Sequence, residues 1–205
     1  MTEVGRIEKP SAASFREVRK LYCVPLLFHV GDAPEGYKEK YELYWEQVAD
    51  HLRGLERAGK VRKVYHEGVF QAGEEGLKAI KQMNEKSYQL AKSKCDEGAE
   101  FQALEDKEAF NEFTDWLMCL SVVGRSQKVA SKVLEYFREA SEKRDEHVVK
   151  HISETLRDGE AGMLIMSDEY RMRIQPKLPR DIQVFLISPP ALHDIQKLLR
   201  ENIRR

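Results

Sequence analysis

Four apolar runs in this chain end in side chains that can move protons or hold a metal. The run 21–28 leads to His29, 61–65 to His66 and Glu67, 163–166 to Ser167, Asp168 and Glu169, and 182–187 to Ser188. Imidazoles and carboxylates of this kind ligate zinc and other divalent ions, or divide the work of general acid and general base. His29, His66 and Asp168 are the candidate metal ligands, and Glu67 is the candidate catalytic base that would take a proton from a bound water. The same rim of His29, His66, Glu67, Asp168 and Glu169 could instead hold a small ligand with no bond broken. Only neighbouring parallel strands would gather residues so far apart in sequence, at the carboxyl ends where open α/β sheets bind ligands.

Other patterns with chemical potential are weaker. His147 and His151 fall four apart on one helix face, with Glu154 three further on, a spacing that can chelate a metal. The HEXXH protease signature needs a glutamate after its first histidine, where Val148 stands. Gly31, Gly73 and Gly76 lack the spacing of a phosphate-cradling loop, and neither Ser167 nor Ser188 sits on a GxSxG elbow. Cys23 and Cys119 read as core thiols, and no CxxC pair suggests a thiolate zinc site or a disulfide scaffold.

Positioning the rim requires strands and crossovers. The pattern predicts a strand over 19–28, with Pro25 arguing for an edge position or a bulge. Tyr37, Tyr41, Tyr44, Trp45, Val48, Leu52 and Leu55 then draw one stripe along a helix ending near Gly59. Residues 60–69 alternate as a half-buried strand, with Val61, Lys63, Tyr65 and Glu67 on one face. From 74 to 123 the period is helical with a break at Gly98. Ser126 caps a long helix over 127–156, a buried strand follows over 161–167, residues 170–180 form a loop, and a strand at 182–188 precedes a helix opened by Pro189 and Pro190. This order predicts an α/β fold, a small three-layer sandwich with a mixed or mostly parallel sheet of about four strands and several long helices. A flexible segment over 1–18 would precede a single domain over 19–205, with 74–156 as a mostly helical insertion between strands.

Composition narrows the classes further. The chain has 205 residues, 41% of them hydrophobic, enough to close one sizeable core. Lysine and arginine number 34 against 35 acids, so the electrostatic footprint of a nucleic-acid or anionic-membrane binder is missing. No apolar stretch suggests a signal peptide or a membrane span, which points to a cytoplasmic protein with reduced thiols.

The string EKRDEHVVKHISETLRDGEAGMLIMSDEYRM over 142–172, followed by LPRDIQVFLIS, resembles the closing half of the TraB/PrgY and ChaN/EreA-like superfamily. Arg144 and Asp145 match that superfamily's helix start, and 163–166 matches its strand. The resemblance implies that Arg144 belongs to the binding rim, and that His29 and Glu67 occupy strand-end positions of some metal-dependent hydrolases. Where the superfamily has Gly-x-x-His, this chain has Ser167, Asp168, Glu169 and Tyr170. A fainter likeness to archaeal-type release factors runs through 124–127, without the Gly-Gly-Gln needed for peptidyl release.

Three functions are therefore open: a ligand- or partner-binding or regulatory protein with a polar pocket at the strand ends, a metal-dependent hydrolase using a divalent metal on the same rim, or an oligomeric module that pairs two copies through its long helices into a homodimer. The absence of any reaction-specific motif favours binding.

Overall fold

The structure is a computed structural model and describes residues 18–28 and 33–203. Five strands are β1 (Arg19–Pro25), β2 (Val61–His66), β3 (Glu100–Phe101), β4 (Ala161–Met166) and β5 (Ile182–Leu186). Seven helices are α1 (Tyr37–Leu55), α2 (Gly73–Met83), α3 (Glu85–Asp96), α4 (Lys107–Val122), α5 (Gln127–Thr155), α6 (Asp168–Ile174) and α7 (Pro190–Ile203). The sheet runs β3-β2-β4-β1-β5 and every pairing is parallel. The expected α/β class holds, with an all-parallel sheet slightly larger than the expected one of about four strands.

Both faces of the sheet are covered, which is why β4, the middle strand, is apolar and buried throughout. One core joins the sheet to the aromatic stripe of α1 and to α2, α3 and α7, through Tyr44, Val48, Leu52, Ile80, Leu90 and Leu192. The other sets Leu21, Cys23, Tyr65 and Leu164 against Val148, Ile152 and Leu156 of α5 and its C-cap and Ile174 of α6. The result is three layers, helix on sheet on helix.

The structure corrects several sequence expectations. β1 is internal, between β4 and β5, despite Pro25. Lys20 N and Leu26 N donate toward β4, so odd-numbered nitrogens of β1 face β5. The ladder on that side ends where Ile187 N donates to Cys23 O, and the next donor due is the nitrogen of Pro25, which therefore breaks no bond. In β2 the register slips between Val61 and Lys63, leaving Arg62 bulged. Val61 consequently joins Val64 in the first core instead of sharing a face with Tyr65. The helical insertion breaks at Gly98 as expected, where α3 has ended and φ is 98°, but it also breaks at Asn84, whose carboxamide oxygen caps α3 by accepting from Ser87 N, and it includes the short β3. Residues 168–174, expected as a strand end and loop, form α6, with Asp168 and Glu169 in its first turn and Arg171 and Arg173 in its last, as the helix dipole favours. Cys119 is exposed on α4, while Cys23 is buried and its thiol is pushed up to about 12 by that burial.

Ser126 does cap α5, accepting from Val129 N at 3.4 Å. The N-terminal half of α5 packs against α4, where Trp116 stacks on Tyr136 with ring centroids 4.8 Å apart. Between Phe113 and Ala140 no residue is buried, so the two helices stand out from the sheet as a hairpin.

Two helical glycines respond oppositely to alanine. A Cβ on Gly76 would lie 2.2 Å from Gln71 O and 2.5 Å from the Phe101 ring, whereas one on Gly54 would meet nothing within 4 Å. Gly54→Ala is expected to stabilise by about 0.5–1 kcal/mol through helix propensity. Gly76→Ala should destabilise by about 1–3 kcal/mol, since a backbone oxygen must move. Urea unfolding of both variants checks the opposite signs.

Candidate functional site

Because all strands are parallel, residues following β1, β2 and β4 do lie on one rim. The chain leaves β2 toward α2, on the face covered by α1, and leaves β4 toward α6, on the face covered by α5. Neighbouring strands whose connections diverge in this way open a crevice at their carboxyl ends, the ligand position of open α/β sheets. Glu67 follows β2 and Ser167 follows β4, and the two meet by hydrogen bonds where the connections diverge.

Glu67 is held by both sides. Its Oε2 accepts from Ser167 N at 2.7 Å and from the Ser167 hydroxyl, and its Oε1 lies 3.4 Å from Arg144 Nη2. Arg144 comes from the middle of α5 and grips Glu105 with two bonds, Nε to Oε2 at 3.0 Å and Nη2 to Oε1 at 2.5 Å. Glu105 also accepts from Gly68 N at 3.3 Å. The rings of Phe110, Phe113 and Tyr170 surround the guanidinium, their centroids 5.0, 4.8 and 4.7 Å from Cζ. Burial works against the charge on Arg144, but Glu105 and then Glu67 outweigh it and raise its pKa. Burial and the nearby Glu67 charge raise the Tyr170 phenol.

Exposure separates the members. The Glu105 side chain is 0% exposed and that of Arg144 2%, whereas Glu67 retains 11%. Two carboxylates face one guanidinium, so the group carries one net negative charge, and Glu67 is where solvent touches it most. Arg144 Nη1 is buried with no hydrogen-bond partner among the described residues. The adjacent Asp145 turns instead toward α6, pairing with Arg173 at 2.7 Å and with Lys177 at 3.0 Å, so successive charges on α5 anchor both the rim and the helix beside it.

His66 lies next to Glu67, but both of its ring nitrogens are taken up by internal hydrogen bonds. Nδ1 is 2.7 Å from Glu67 O, a carbonyl that can only accept, so Nδ1 carries the proton and Nε2 accepts from the Ser87 hydroxyl at 3.0 Å. Burial lowers its pKa to about 4, keeping it neutral. Both nitrogens being engaged, metal ligation by His66 does not fit this placement. Asp168 is bound to Arg171 at 2.8 Å, and Glu169 is exposed on the first turn of α6. Neither joins Glu67. His29 lies outside the described residues. Among the described residues no three of His, Cys, Asp and Glu are grouped to hold a metal.

Of the predicted rim residues, then, the structure unites Glu67 with Arg144, leaves His66 and Asp168 in other bonds, and leaves Glu169 exposed on α6. Glu105 and the three rings escaped the sequence reading. Glu105 precedes Asp106, whose carboxylate caps α4 by accepting from Ala109 N, and that capping signature was the only local signal near it. Among the described residues no helix is long and apolar enough to cross a membrane. Comparison with family models, curated proteins and solved structures finds no match to this chain.

Proposed function

We propose that this chain is a binding protein that takes a small polar ligand in the crevice between the ends of β2 and β4, with Glu67 as its recognition carboxylate. The observation that carries this is the position of Glu67, the most exposed member of a buried charged network, at the point where the connections leaving β2 and β4 diverge. Arg144 and Ser167 fix the carboxylate's orientation, and Glu105 balances the arginine. The excess negative charge favours ligands that present hydrogen-bond donors, such as amines, hydroxyl-rich compounds or amino acids.

A thermal-shift panel of such compounds, with divalent cations as a separate arm, tests this. A ligand that binds only the folded state stabilises by about 2.7 kcal/mol at a hundredfold excess over Kd. In a chain of this size that raises Tm by roughly 5–10 °C. Glu67→Gln should cut the shift by at least half. A panel that leaves Tm unmoved overturns the proposal, and stabilisation by divalent cations alone replaces it with the metal-dependent hydrolase.

A further inference from the structure

A second recess lies on the same rim, beyond the end of β1, with a volume of about 360 Å³. Phe28, Tyr41 and Met83 give it apolar walls, and Glu42, Glu85 and Lys86 line its polar side. Phe28 is 46% exposed and Met83 42%, unusual for large apolar side chains placed together in a concavity.

One buried side chain ties the walls into a fixed shape. Asn84 Nδ2 donates to Leu27 O at 2.7 Å, next to Phe28, while its Oδ1 accepts from Tyr41 OH at 3.2 Å and from Ser87 N at 3.0 Å. The exit of β1, the aromatic stripe of α1 and the break between α2 and α3 are thereby locked together around the recess. Its volume falls within the range of small-molecule sites, about 300–1,000 Å³.

The charges choose the ligand. Lys86 pairs with Glu42, and Glu85 makes a hydrogen bond to Gln89 at 3.2 Å but no ion pair among the described residues. Among the described residues, two carboxylates against one ammonium give the recess one negative charge beside aromatic rings, an environment that attracts a cation through both its carboxylates and its ring faces. We infer that this recess binds a small primary ammonium carried on an aromatic body. None of its charged side chains belongs to the Glu67, Arg144 and Glu105 network, so the inference stands apart from the crevice between β2 and β4.

The experiment titrates 2-phenylethylammonium against the full chain, followed by ligand-observed NMR and by the methyl signal of Met83. The expected result is saturable binding that shifts that methyl, with affinity about tenfold lower in Glu85→Gln, the loss of one charge-assisted contact. Lys86→Gln, which frees Glu42 for the ligand, should bind equally or more tightly. Both substituted positions are solvent-accessible, so these variants fold. Absence of saturable binding, equal or tighter binding of 3-phenylpropionate, or weakened binding in Lys86→Gln overturns the assignment, the last two by showing an anion site.

Discussion

Replacing Arg144 with methionine is expected to lower Tm by about 10 °C, the largest effect of any single charge removal in this chain. The guanidinium makes two bonds to Glu105, whose side chain has no solvent contact, and sits among three rings. Methionine keeps most of the apolar stem but leaves the Glu105 carboxylate with Gly68 N as its remaining donor. Breaking a buried pair on one side costs about 3–5 kcal/mol, and a chain of this length loses roughly 2–4 °C per kcal/mol. An acidity signature accompanies the loss. Stranded in an apolar site, Glu105 in the variant binds a proton more readily folded than unfolded, so the gap from wild type narrows as pH falls. Adding Glu105→Gln to Arg144→Met should recover part of the stability at pH 7. A Tm for Arg144→Met within about 2 °C of wild type would show that the pair holds no net structural weight.

The second large effect is a pH dependence set by His66. Its imidazole is fully buried, and burial lowers the pKa from 6.5 to about 4. A group with a depressed folded-state pKa binds its proton more weakly when folded. Its stabilising contribution is therefore complete above pH 6.5 and is lost as pH falls through the window down to about 4. The shift corresponds to about 3 kcal/mol. His66→Asn can keep the donor to Glu67 O without titrating, so it should lose stability at neutral pH yet show a flatter profile across this window. Chemical denaturation of both proteins at stepped pH measures the difference, and a gap that stays constant from pH 7 to 4 would remove His66 as the source. His151, half-buried with its pKa lowered by burial and by His147, pushes the same way and is common to both proteins.

The sequence carried the elements better than their contacts. The stripe from Tyr37 to Leu52 marked α1 and its buried face, and Ser126 marked the start of α5, because periodicity and capping are local signals. α6 was legible in retrospect, since Ser167, Asp168 and Glu169 followed by Arg171 and Arg173 form a helix start and finish. Strand order is non-local, so Pro25 pointed to an edge while β1 lies inside the sheet. At the candidate site the same division holds. Glu67 was visible as a strand-end carboxylate. Its link to Glu105 depends on a two-residue strand too short to leave a periodic trace, and His66 could be separated from it only by seeing that Ser87 reaches the ring.

The placement of β1 also governs how the chain can be made. Lys20 pairs with Ala161 on one side and with Gln183 on the other, so β1 leaves the ribosome long before either neighbour exists. During vectorial synthesis helices can cover the faces of β1, but both of its edges stay unpaired and the sheet cannot close until β4 and β5 have emerged. Nascent chains arrested before residue 161 would lack the core of the sheet and expose a sticky strand, a natural target for chaperones.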